Sequence, residues 1–127
     1  MIAPYLRRNL VKRSRPITYD TVRRMALTLP NVEESTSYGT PALKVKGKLF
    51  VRWRNEEDPD TIVLKMPFEQ REGLMAEEAE TYFITDHYRN YPWILVRLSK
   101  VHPDALHELL QTGYHSALDS KHTKERH

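Results

Sequence analysis

The runs Leu43-Lys44-Val45 and Leu49-Phe50-Val51-Arg52-Trp53 flank Lys46-Gly47-Lys48, and this pair of alternating runs around a turn restricts the fold more than any other feature. Successive side chains of a strand point to opposite faces, so two such runs joined through a glycine specify an antiparallel hairpin. With Lys46, Gly47 and Lys48 as a three-residue connection, Val45 opposes Leu49, Leu43 opposes Val51, and Trp53 continues the same apolar face. The other face then carries Lys44 beside Phe50, followed by Arg52 and Arg54, with Lys46 and Lys48 at the tip. The pattern predicts one apolar face for a core and one basic ridge.

Further strands extend this sheet. Asn55 to Asp60 reads as a charged loop, and Thr61 to Met66 alternates with Ile62, Leu64 and Met66 on one side. Residues 32 to 38 read as a short polar strand or extended connection, ended by the turn residues Gly39, Thr40 and Pro41. Tyr82 to Thr85 is expected as a short strand, Asp86 to Pro92 as a turn-rich segment, and Trp93 to Leu98 as a strong last strand. Both faces of that last strand are bulky, which predicts cover on both sides.

Three helices are expected around the sheet. Thr18 can cap one that begins at Tyr19 or Asp20, with Val22, Met25, Ala26 and Leu29 on one face and Pro30 as its stop. Glu69 to Glu78 has few apolar groups and is expected to lie on the surface. Pro103 opens the clearest helix, whose apolar stripe is Leu106, Leu109, Leu110, Gly113, Tyr114 and Ala117. The predicted class is α+β: a single compact domain with a mainly antiparallel sheet covered by an N-terminal and a C-terminal helix.

Charge divides the chain of 127 residues unevenly. Of 20 Lys and Arg, five (Arg7, Arg8, Lys12, Arg13 and Arg15) fall in residues 1–16, where there is no acidic residue, which leaves 15 basic against 17 acidic groups elsewhere. The sequence pI of about 9.2 therefore reflects a basic arm attached to a nearly neutral remainder. The expected organisation is a flexible basic arm over 1–16, a domain over 17–118 and a polar tail over 119–127. Basic residues interrupt the apolar groups of the arm, so no signal peptide is read, and a cytoplasmic location with no membrane partner is expected.

The absence of cysteine excludes disulfides, thiolate nucleophiles and cysteine-ligated metal centres. None of the six histidines forms an i,i+4 pair, and His107 and His115 lie about two turns apart, so no metal site is read. Asp86 beside His87 is the one arrangement that would orient a catalytic histidine. Adjacent glutamates at 33 and 34, 56 and 57, and 77 and 78 do not define an acid and a nucleophile, and Ser35 to Tyr38 reads as edge-strand polarity. No phosphate-binding glycine motif is present. No catalytic residue and no cofactor are assigned, and a non-enzymatic role is expected.

Binding is the better supported class. Lys44, Lys46, Lys48, Arg52 and Arg54 on one ribbon would neutralise phosphates of double-stranded DNA, with affinity that falls with salt. The alternative is a module for a protein or an acidic small ligand, built on an aromatic groove of Tyr88, Tyr91 and Trp93. Monomer and weak homodimer are both compatible with an exposed edge strand.

The order of Ala26-Leu27-Thr28-Leu29-Pro30-Asn31-Val32-Glu33-Glu34, then Gly47-Lys48-Leu49-Phe50, Leu64-Lys65 and Trp93-Ile94-Leu95-Val96 resembles the MmcQ/YjbR family over about residues 18–118. The resemblance implies a compact α+β fold related to frataxin-like and secretion-chaperone-like folds, and a double-wing DNA-binding architecture. It implies that Gly47 relaxes the hairpin turn, that Lys48 contacts phosphate, that Phe50 belongs to the following strand and that Trp93 packs or lines a groove. It carries no catalytic set and no iron site.

Overall fold

The computed structural model describes residues 16–120. The basic residues expected to form an arm, and all but the first two residues of the expected polar tail, lie outside the described residues.

Six strands form one antiparallel sheet: β1 (Val32–Ser37), β2 (Thr40–Val45), β3 (Lys48–Asn55), β4 (Asp58–Lys65), β5 (Tyr82–Phe83) and β6 (Trp93–Arg97), in the spatial order β1-β2-β3-β4-β6-β5. The first four make a meander with two-residue loops, since Ser37 pairs with Thr40, Val45 with Lys48 and Asn55 with Asp58. Tyr38-Gly39 and Lys46-Gly47 both have positive φ at both positions (54° and 79°, 51° and 80°). That backbone matches the right-handed twist of the strands, and glycine enters it without a Cβ clash. At the third loop the Asn55 side chain accepts a hydrogen bond from the Asp58 amide at 2.9 Å.

Three helices accompany the sheet: α1 (Tyr19–Ala26), α2 (Phe68–Glu77) and α3 (Pro103–Asp119). At the start of α1 the Thr18 amide donates to the Thr21 hydroxyl, and at the start of α3 the Asp104 amide donates to His102 Nδ1. The apolar stripes of α1 and α3 lie on one sheet face, where Val22, Ala26, Leu106, Leu110 and Tyr114 join Leu43, Val45, Ile62, Leu64, Ile94 and Val96 in a single core. The Tyr114 hydroxyl donates to the Pro30 carbonyl at 2.7 Å and ties the turn after α1 to the C-terminal half of α3. Gly113 lets α3 approach β4: a Cβ there would meet Leu64 Cδ1 and the Lys65 carbonyl, each at 2.9 Å.

The hairpin departs from the sequence expectation in register. The loop has two residues rather than three, so Val45 faces Lys48, Lys44 faces Leu49, and Leu43 faces Val51 as expected. Between those last two pairs β3 carries one more residue than β2, a bulge at Phe50. Phe50 and Val51 consequently both enter the core, and Phe50 stacks edge-on against Tyr114 with centroids 5.9 Å apart. Leu49, expected inside, goes to the opposite face, and Phe50, expected beside Lys44, leaves that face.

Other boundaries move by a few residues. β4 begins at Asp58, within the expected loop, and Thr40 and Pro41 belong to β2 rather than to the turn before it. The fully buried Leu95 faces away from the helices while its neighbours Ile94 and Val96 join the core, in keeping with the cover expected on both sides of this strand.

Candidate ligand site on the open face of the sheet

Residues paired across antiparallel strands share a face. Ala42, Arg52, Val63, Leu95 and Phe83 form one such row, on the side away from α1 and α3. Leu49, displaced by the bulge, stands on the same side and, with Val63, floors a hollow of about 320 Å³. Tyr88, Tyr91 and Trp93 form one wall, and Tyr38 and His87 complete the rim. The three aromatics of the expected groove thus stand around one concavity, together with Arg52 from the expected ridge.

Arg52 is the hollow's charged residue. Its Nη1 donates to the carbonyls of Trp53 and Arg54 at 3.2 and 3.1 Å, and its Nη2 donates to the Tyr88 hydroxyl at 2.6 Å. A guanidinium has five donors, so Nε–H and one Nη2–H remain without a protein acceptor among the described residues. Its charge is held without a carboxylate, and the exposed Tyr38 ring lies 5.7 Å from it. Tyr38 is itself held in place by the left-handed turn it shares with Gly39.

The wall is set by a residue that the sequence left on the surface. Arg71 in α2 is only 3% exposed, and its guanidinium donates to the carbonyls of Tyr88, Tyr91 and Trp93 through Nη1 and of Arg89 through Nη2, at 2.7 to 3.2 Å. The segment carrying three aromatics is therefore wrapped around one buried cation. In one dimension Arg71 is an ordinary polar position of a weakly amphipathic helix, and nothing adjacent to it signals the four carbonyls.

The remaining basic residues are distributed differently from the expected ridge. Lys44 lies on the hollow's side of the sheet, opposite Glu33 of β1 and Leu49 of β3, and Lys46 is exposed at the hairpin tip. Lys48 turns to the helical side, where its Nζ donates to the Ser120 carbonyl at the end of α3 at 2.5 Å. Arg54 pairs with Asp58 at 2.9 Å. No single face presents all five.

The Asp86–His87 arrangement does not form a dyad. Asp86 pairs with Arg89, and His87 is exposed with its ring edge-on to Tyr88. Among the described residues no group of three or more His, Asp or Glu side chains is placed to hold a metal ion. Likewise among them no helix is long and apolar enough to cross a membrane.

A six-stranded antiparallel sheet with helices on one face and an aromatic hollow on the other defines a small α+β protein of mixed architecture. The YjbR family model matches residues 27–116, and the chain belongs to the YjbR family, also called MmcQ/YjbR. Among solved structures it is similar to the crystal structure of Deinococcus radiodurans protein DR2400, described as a DUF419 domain. The two chains are 25% identical, the match covers 86% of this chain and 83% of that one, and the TM-score is 0.69. No curated protein matches the chain.

Proposed function

We propose that the protein is a non-catalytic binding module whose open sheet face takes an acidic small ligand with a flat unsaturated ring. The observation that carries this reading is Arg52, a guanidinium with two free N–H groups and no carboxylate partner among the described residues, set in an aromatic hollow. Nε–H and Nη2–H suit a carboxylate or phosphate, while Tyr91, Trp93 and the Leu49–Val63 floor suit the ring. Tyr88 serves both parts, since its hydroxyl orients Arg52 and its ring walls the hollow.

The two tryptophans are Trp53 and Trp93, and Trp93 lines the hollow, so intrinsic fluorescence reports occupancy once a Trp53→Phe background isolates it. Phenyl phosphate and benzoate are expected to change Trp93 emission saturably, and benzyl alcohol is expected to bind more weakly. Arg52→Gln is expected to weaken the acidic probes by roughly tenfold or more, the scale of a lost charged hydrogen bond. Equal binding of acidic and neutral probes, or none that saturates, refutes the reading.

A second reading, DNA contact by the hairpin, is favoured by one observation: Lys46 sits in the two-residue loop with Lys44 and Lys48 in the strands beside it, and none of the three is in an ion pair with a carboxylate among the described residues. In that reading Arg52 and Arg54 are supporting charges rather than direct contacts. Duplex DNA titrated over a salt series separates the two: a steep salt slope, reduced in a Lys44/Lys46/Lys48 charge-removal variant and unchanged in Arg52→Gln, favours the hairpin.

A further inference from the structure

A second concavity, of about 870 Å³, opens where the end of β4 meets the C-terminal half of α3, and Lys65, Gln70, Thr112, His115 and Ser116 are among its lining residues. Lys65 is the last residue of β4, and the close approach of Gly113 to its carbonyl holds the strand end against the helix. Its Nζ lies over the Trp93 ring, 5.2 Å from the centroid. Among the described residues it has no carboxylate within ion-pair reach, although Glu108 and Asp119 of α3 line the same concavity.

Two influences act on this amine. Burial lowers its pKa below the ordinary lysine value, and the positive charge of Lys48 on β3 lowers it further. Loss of hydration and a neighbouring cation both increase the share of a lysine present as the neutral, nucleophilic amine. The Trp93 face favours the ammonium form, but an aromatic face offers no acceptor that would lock the proton in place. Lys46 and Lys100 are exposed.

We propose that Lys65 is a reactive amine that condenses with the carbonyl group of a small aldehyde or ketone entering this concavity. The Nζ lone pair forms a bond to the carbonyl carbon as one Nζ proton passes to the carbonyl oxygen. Departure of that oxygen as water, taking the second proton of the neutral amine, leaves an imine. Thr112, His115 and Ser116 supply hydroxyl and imidazole groups to relay these protons. The proposal does not require an acidic ligand in the hollow, although Trp93, whose ring lies beneath the Lys65 Nζ, also lines that hollow.

The full chain is treated with pyridoxal 5′-phosphate at about pH 8, reduced with borohydride and mapped by peptide mass spectrometry, with pyridoxal as a phosphate-free arm. Lys65 is expected to be labelled roughly tenfold faster than Lys46 and Lys100 with both aldehydes. Lys48→Met, checked for folding by circular dichroism, is expected to slow labelling at Lys65 and leave Lys46 and Lys100 unchanged. Comparable labelling of the three lysines in the unsubstituted protein overturns the proposal. So does a preference for Lys65 that disappears with pyridoxal, because it would come from phosphate attraction alone.

Discussion

Arg71 shapes the hollow without lining it. Four backbone carbonyls between Tyr88 and Trp93 converge on its guanidinium, and the aromatic rings stand where that backbone puts them. Replacing it with methionine keeps the apolar stem and strips the carbonyls of their charged donor. Arg71→Met is expected to lower stability by about 2–4 kcal/mol in urea unfolding, and to raise hydrogen exchange in residues 88–93 more than in β3 or β4. Unchanged exchange in that segment would show that the loop holds its shape by itself. The aromatics at 88, 91 and 93 were legible as groove candidates from residue type. Arg71 was not, because the identity of a backbone acceptor never shows in sequence. Leu49 and Phe50 take other faces than alternation assigns for a related reason: the two-residue turn offsets the ladder by one residue and the bulge restores it, so only the residues between turn and bulge change side.

At the scale of elements, the two outer helices and the central strands were readable because their apolar periods of about 3.6 and 2 are set by backbone geometry alone. Their ends were less readable. Strand alternation reads Lys46-Gly47 as part of a three-residue loop, whereas the positive φ of both residues makes a two-residue turn, and Tyr38-Gly39 repeats the same solution. In sequence Gly113 is one more small member of an apolar stripe, but its role is the close approach of α3 to β4. Gly113→Ala adds a methyl against Leu64 and the Lys65 carbonyl. The gain in helix propensity is outweighed by overpacking, and a net loss of about 1–3 kcal/mol is expected in thermal or urea unfolding. A stabilised Gly113→Ala would mean that helix and strand move apart at little expense.

Over the whole molecule, ionisation of partly buried groups ties stability to alkaline pH. Lys65 has a lowered pKa when folded, so between that value and the ordinary 10.5 the unfolded chain binds more protons. Its burial therefore opposes folding fully below this window, and the opposition fades as pH rises through it. Tyr82 works in the other sense. Burial, aided by the charge of Glu78, raises its pKa above 10.0, so its contribution is complete below that value and is lost as pH climbs past it. Tyr19 shifts in the same direction, chiefly by burial. Lys65→Met is expected to raise Tm at pH 7 by an amount that shrinks toward pH 10, and Tyr82→Phe is expected to blunt the loss of stability above pH 10. A Lys65→Met gain that grows with pH would contradict this assignment.

The sequence by itself determined the fold class, the helical cover on one sheet face, the lack of thiol chemistry and the family resemblance. Each follows from residue type, local period or the order of short motifs. Only the tertiary structure decided which basic residues share a face. A two-residue turn and a bulge at Phe50 sent Leu49 to the open side beside Arg52 and Lys48 to the end of α3, while Arg54 meets Asp58 at a second irregularity of β3, between Trp53 and Asn55. The physical reason is that a strand's faces are defined by its ladder with neighbours distant in the chain, so one inserted residue redistributes side chains that local alternation would keep together.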